Sequence, residues 1–137
     1  EIFFRGIIEE ELLTSYSENK KQIITSIVIS GIIFGSIHLT NLFYGQDFLT
    51  TITQFIQTTS IGILFGTLYY LTRNIWALAF LHGFYDFSVL LNEVNLVTEC
   101  GYIDNVSSII TASSIVASII LSIIYLVYSI IIFKKEI

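Results

Sequence analysis

The sequence is poor in charge: Asp, Glu, Lys and Arg make up only 12% of its 137 residues, whereas 54% are hydrophobic. A soluble domain of this size carries about 25% charged residues. The deficit argues against an ordinary soluble domain and indicates that much of the surface faces lipid. The formal net charge is −5, and the sequence has no basic patch, so nucleic acid is not expected as a partner.

Methionine and proline are absent, and cysteine occurs once, at Cys100. A single thiol cannot form a disulfide within the chain, and we expect Cys100 to be a passive thiol. Residues Glu1–Arg5 lack the basic region and cleavage site of a secretory signal peptide. Because Glu1 already lies in a helical pattern, we expect a further N-terminal part to precede it.

Long apolar stretches are abundant instead. A membrane-spanning helix needs about 20 mostly apolar residues, and its backbone groups must be paired within the segment. The predicted helices, the first of them truncated, are Glu1–Leu13, Gln22–Leu42, Thr50–Leu71, Ile75–Leu91 and Ser108–Phe133. The predicted fold class is all-α, a polytopic transmembrane bundle of about five helices in one domain. Gly31-x-x-x-Gly35 and Gly62-x-x-x-Gly66 predict close packing between helices.

The basic residues between the helices predict an orientation. Two connecting segments, residues 41–49 and 92–107, contain no Lys or Arg, whereas the other connections and the C-terminus carry Lys20, Lys21, Arg73, Lys134 and Lys135. If the helices alternate in direction, all five basic residues lie on one side, which the positive-inside rule makes cytoplasmic. The polar residues of the second and fourth helices then lie between mid-membrane and the outer leaflet.

Ionisable side chains inside the apolar stretches carry the functional signal, because each charge at the membrane centre costs at least about 2.5–3.5 kcal/mol. Glu1 and Arg5 are spaced i,i+4, which by itself indicates a structural ion pair. His82 and Asp86 share a helix face and can converge on one water, one metal or one substrate carbonyl. His38 fits an interhelical hydrogen bond as well as a functional role.

Other polar residues favour simpler interpretations. Gln54, Gln57 and Thr58 in the third helix are compatible with a wet cavity and equally with hydrogen bonds between helices. The acidic run Glu9–Glu11 predicts a solvated helix face.

Three short motifs follow one another on successive predicted helices. They are Glu1-Ile-Phe-Phe-Arg5, Phe34-Gly-Ser-Ile-His38 and His82-Gly-Phe-Tyr-Asp86. In order and spacing they resemble Glu-Glu-x-x-x-Arg, Phe-x-x-x-His and His-x-x-x-Asn/Asp of the CPBP family, which contains the CAAX prenyl endopeptidases and bacterial relatives, some linked to bacteriocin self-immunity. The resemblance covers a motif-bearing core, residues 1–91, and leaves 108–133 as an extra transmembrane helix.

The resemblance implies an intramembrane endopeptidase that hydrolyses a peptide bond of a membrane-associated or prenylated protein. Its catalytic residues would be Glu1, His38, His82 and Asp86, with Arg5 holding the glutamate in place. A glutamate and His38 would activate water, while His82 and residue 86 would face the oxyanion. Because a carboxylate has no proton to donate, Asp86 would have to be protonated or to orient His82. Glu1 matches the second glutamate of the family's pair, so we expect the first to precede this chain and the chain alone to be inactive.

Two alternatives stay open at this stage. A zinc enzyme would use His38, His82 and a carboxylate as ligands, although the absence of His-Glu-x-x-His favours a metal-free site. A non-proteolytic immunity or scaffold protein would keep the same fold, but the pair of histidines favours an enzyme.

The expected partners are membrane lipid and a peptide or lipidated protein, and the expected location is a bacterial cell membrane, crossed several times. CAAX enzymes take prenylated substrates from the cytosolic side. The charge pattern instead favours an exported or membrane-embedded substrate.

Overall fold

The computed structural model describes residues 1–99 and 104–136, with side chains described for 1–88, 90, 91 and 113–136. Over these residues the chain forms five helices and no strand, which confirms the predicted all-α bundle. Helix α1 consists of a π-helical stretch, Phe4–Glu9, and an α-helix, Glu10–Tyr16. Helix α2, Lys20–Ser36, continues as a 3₁₀ helix, Ile37–Tyr44, and the remaining helices are α3, Phe48–Thr72, α4, Ile75–Glu99, and α5, Asp104–Glu136. Cys100 lies outside the described residues.

Three segments of the described chain are long and apolar enough to cross a membrane: Lys20–Tyr44, Phe48–Thr72 and Ser113–Glu136. Residues Ser113–Glu136 have a mean hydropathy of 2.7. Only 11% of the most apolar 18-residue stretch in this helix is buried by protein, so its surface is suited to lipid. Helix α4, predicted as a short span interrupted by His82 and Asp86, is not among the three.

Helix α4 differs from its predicted extent. It continues to Glu99, eight residues beyond the predicted end at Leu91, so most of the predicted loop at 92–107 is helical. The physical reason is that neither Gly nor Pro occurs between residues 84 and 100 to end the helix.

Helices α2 and α3 pack with their backbones in contact, as the glycine motifs predict. A Cβ atom added to Gly31 would lie 2.9 Å from the backbone nitrogen of Ile63, and one added to Gly35 would lie 2.9 Å from that of Thr59. One added to Gly62 would lie 3.2 Å from the Cα of Gly31. Close packing is therefore confirmed for these three glycines, because no larger residue fits between the helices.

We expect Gly35→Leu to lower the free energy of unfolding by at least about 1–3 kcal/mol, because the new side chain meets backbone that cannot move aside. Unfolding in detergent micelles measures the change. Gly83→Ala is the matched control: nothing lies within 4 Å of a Cβ added at Gly83. Stability should stay unchanged or rise by up to about 1 kcal/mol, since alanine favours helix. Equal losses in both variants would contradict the packing role of Gly35.

Two buried apolar clusters hold the bundle together. One joins α2, α3 and α4 through Phe34, Ile61, Phe65, Tyr69 and Leu78. Phe4 of α1 packs against this cluster, so the helices that carry the three motifs meet around it. The other cluster joins α1, α2, α3 and α5 through Leu13, Ile27, Ile63 and Phe133.

Candidate functional site

Arg5 is the centre of a buried polar network. Its side chain is fully buried, and Nε lies 3.1 Å from Oε2 of Glu1. Nη1 donates to Oε2 of Glu9 at 2.8 Å and to Oγ of Ser30 at 3.0 Å, and Nη2 donates to the carbonyl oxygen of Gly62 at 2.9 Å. The guanidinium thus binds the carboxylates of Glu1 and Glu9 and connects them to α2 and α3. A planar guanidinium with several donors is suited to such a buried position.

Glu9 is the residue of this network that the sequence pattern does not single out. The run Glu9–Glu11 predicts a solvated face, but Glu9 is 0% exposed and also accepts a hydrogen bond from Oγ of Ser30 at 3.1 Å. A Cβ added to Gly66 would lie 2.7 Å from Oε2 of Glu9, so this glycine makes room for the carboxylate. The prediction is wrong for Glu9 because α1 packs this face against α2 and α3. The sequence does contain one signal for the burial of Glu9. Glu9 lies four residues after Arg5, just as Glu1 lies four residues before it.

The next residue of the acidic run is also paired. Glu10 forms an ion pair with Arg73, and the hydroxyl of Tyr69 donates to Oε2 of Glu10 at 3.3 Å. Glu11 alone of the three is exposed, as predicted.

Glu1 links this network to α4. Oε1 of Glu1 lies 2.9 Å from Nδ1 of His82, while the other oxygen faces Arg5. Nε2 of His82 lies 3.5 Å from Oδ2 of Asp86. The structure therefore brings the predicted residues Glu1, Arg5, His82 and Asp86 into one series of contacts. The Asp86 side chain is 66% exposed and contacts His82 from the next turn of α4.

Phe34 contacts both of the predicted catalytic histidines. Its ring centroid is 5.4 Å from that of His82 and 6.3 Å from that of His38, both with edge-to-face geometry. The Arg5 guanidinium lies 5.5 Å from the same centroid. The aromatic residue of the second motif thus contacts the key residues of all three motifs, which explains why a phenylalanine is suited to this position.

His38 and Asp86 line one cavity of about 290 Å³ between the 3₁₀ continuation of α2, α3 and α4. Its remaining lining residues are Gln54, Gln57, Thr58, Tyr85 and Leu90. The polar residues of α3 therefore border a cavity, and some also form hydrogen bonds between elements: Nε2 of Gln57 donates to the Tyr85 hydroxyl at 2.7 Å. His82 does not line this cavity, but it contacts Asp86, which does.

A metal site is not assembled by the described residues. Among the described side chains, those of residues 1–88, 90, 91 and 113–136, no three of His, Cys, Asp or Glu converge closely enough to hold a metal ion. The zinc set considered from the sequence, His38, His82 and a carboxylate, is not among the described groups that converge in this way, and Nδ1 of His82 instead faces Glu1.

The model of the family described as type II CAAX prenyl endopeptidase Rce1-like matches residues 1–88. This is more than half of the 137-residue chain and includes all three motifs. The chain belongs to this family. The resemblance to the CPBP family is thereby confirmed. Comparisons with curated proteins and with solved structures give no match.

Membership of the Rce1-like family has two general consequences. The family is one of proteases, which supports a peptidase activity. It is also membrane-embedded, in agreement with the three apolar helices that the described chain contains.

Proposed function

We propose that this protein is an intramembrane endopeptidase that hydrolyses a peptide bond of a membrane-associated or prenylated protein, using water activated by glutamate and histidine. The observation that carries the proposal is the convergence of three motifs from separate helices. Glu1 lies 2.9 Å from His82, and Asp86, one turn after His82, shares a cavity with His38. A histidine and a carboxylate at a common cavity, connected to a second histidine and a second carboxylate, are groups that general acid–base hydrolysis can use.

In this mechanism a glutamate orients the attacking water, and His38 transfers the proton. It takes a proton from the attacking water as oxygen bonds to the carbonyl carbon, and it gives that proton to the amine nitrogen as the carbon–nitrogen bond breaks. The products are an amine and a carboxylic acid, which then releases its proton to become a carboxylate. His38 suits this role because its imidazole lines the cavity that a substrate carbonyl could enter.

Arg5 acts as a positioning residue for Glu1 and, through Glu1, for α4. The network of Arg5 fixes one oxygen of Glu1, and the other oxygen faces Nδ1 of His82. Since Arg5 is anchored to α2 through Ser30 and to α3 through Gly62, the position of His82 is tied to the rest of the bundle.

The apolar outer face of α4 is compatible with a substrate that is anchored in lipid. Phe80, Phe84 and Phe87 are 73%, 61% and 55% exposed on the helix that carries His82 and Asp86. Aromatic residues exposed on this scale in a membrane helix offer an apolar surface to lipid chains or to an apolar anchor on a substrate. The proposed partners are accordingly membrane lipid and a peptide or lipidated protein, in the cell membrane of a bacterium.

The proposal predicts hydrolysis that does not depend on a bound metal. The full-length protein in liposomes, incubated with a membrane-anchored peptide in ¹⁸O-water, should place one ¹⁸O atom in the new carboxylate, as mass spectrometry would detect. We expect turnover to survive exhaustive treatment with a chelator, because the described side chains assemble no metal site. Loss of turnover on chelation, restored by zinc, would contradict the metal-free mechanism; absence of cleavage would contradict the peptidase function.

A further inference from the structure

We propose that the Tyr85 hydroxyl donates a hydrogen bond to the carbonyl oxygen of the scissile peptide bond, and that Gln57 orients the hydroxyl for this role. The inference rests on the proposed peptidase function and assigns a role to a residue at a variable position of the third motif. It names a group that stabilises the negative charge formed when water attacks the carbonyl.

The position of Tyr85 meets the first requirement of such a group. It lies three residues after His82, so the two share a helix face, and it lines one cavity with Asp86. Its side chain packs against the buried cluster that includes Phe34 and lines the same cavity as His38. A carbonyl in that cavity can therefore contact both the residue that activates water and the tyrosine hydroxyl.

The hydrogen bond from Gln57 determines what the hydroxyl can do. Nε2 of Gln57 donates to the oxygen of Tyr85 at 2.7 Å. Tyr85 is the acceptor in this bond, so its own O–H proton stays available to an acceptor. Within the part of the chain whose side chains are described, the hydroxyl makes no second hydrogen bond. The proton is thus free to point at a substrate oxygen in the cavity.

The chemistry of position 86 explains why this donor is needed. An asparagine there, as the family motif allows, supplies an amide N–H, whereas an ionised Asp86 is only an acceptor. A carboxylate facing a developing oxyanion repels it. A tyrosine one position earlier on the same helix supplies the neutral donor that Asp86 lacks. No proton is transferred: the hydrogen bond strengthens as charge moves onto the carbonyl oxygen.

The test is Tyr85→Phe in the full-length protein, which removes only the hydroxyl oxygen. We expect kcat for peptide hydrolysis to fall by about 10²–10³-fold, the usual effect of removing one oxyanion donor, with KM little changed. Tyr125→Phe is the matched control, because Tyr125 packs against the same cluster but does not line the cavity. Its kcat should equal that of the unmodified protein.

A second variant, Gln57→Glu, separates this role from simple packing. The carboxylate would accept the tyrosine proton instead of donating to its oxygen, so kcat should fall as in Tyr85→Phe. The double variant should show no further loss, since both changes remove the same hydrogen bond.

If the unmodified protein cleaves the peptide and Tyr85→Phe has a normal kcat, the role of Tyr85 is overturned while the peptidase function stands. If Tyr85→Phe does not fold, a normal kcat in Gln57→Glu overturns that role in the same way. Absence of cleavage by the unmodified protein would overturn the peptidase function and this role with it.

Discussion

His38→Ala and His82→Ala each abolish peptide cleavage in the full-length protein, with kcat falling by at least about 10³-fold. General acid–base catalysis by one positioned side chain contributes about 10²–10⁴-fold, and His38 lines the cavity at which we place the reaction. His82 contacts Glu1 and Asp86, so its loss also removes the contact between Glu1 and α4. Steady-state cleavage of a membrane-anchored peptide measures both effects.

Leu121→Val in α5 is the control for these variants. It trims an apolar side chain that is partly buried on the extra helix, outside the family match, and should leave kcat unchanged. Thermal unfolding establishes that the histidine variants are folded. Near-normal turnover in a folded histidine variant would show that the role assigned to that histidine is wrong.

Arg5→Met lowers the free energy of unfolding by about 3–5 kcal/mol, the usual cost of leaving a buried charge without its partner. Both side chains of the Arg5–Glu9 pair are 0% exposed, and Glu1 is only 2% exposed. Without the guanidinium, two carboxylates would face each other in an apolar bundle. Denaturant unfolding in micelles, followed by circular dichroism, measures the loss.

Arg73→Met is the matched control, because Arg73 also pairs with a glutamate of α1. Its side chain is 49% exposed and that of its partner Glu10 is 37% exposed, so water screens the pair. The expected loss is about 0–1 kcal/mol. Equal losses for Arg5→Met and Arg73→Met would mean that the Arg5 network does not stabilise the bundle.

The fold class could be predicted from the sequence because it depends on local composition. Runs of about 20 apolar residues must pair their backbone groups internally, so they form helices whatever their neighbours are. The glycines at positions 31, 35 and 62 likewise indicate a helix contact. Small residues four positions apart lie on one helix face and allow two helix backbones to approach closely. The extent of α4 was less predictable, because its polar continuation after Leu91 has no stop signal.

The candidate residues could be named from the sequence, but their partners could not. An ionisable residue within an apolar stretch can be recognised in the sequence itself. This identifies Glu1, Arg5, His38, His82 and Asp86. Which of them contact each other depends on how the helices rotate about their axes, and tertiary packing decides that rotation. Spacing alone could not show that Phe34 contacts both histidines or that Tyr85 and His38 line the same cavity.

The acidic run of α1 shows most clearly what the sequence determined and what only the tertiary structure decided. Three consecutive glutamates, Glu9–Glu11, are as hydrophilic as a solvated helix face, and the sequence determined no more than that. Successive residues of a helix point about 100° apart, so the three side chains meet different environments. Packing of α1 buried Glu9 beside Arg5, paired Glu10 with Arg73 and left Glu11 exposed. The chemical identity of these residues is local, but the neighbouring helices determine their surroundings, because a buried carboxylate is stable only where other groups of the protein supply its hydrogen-bond donors.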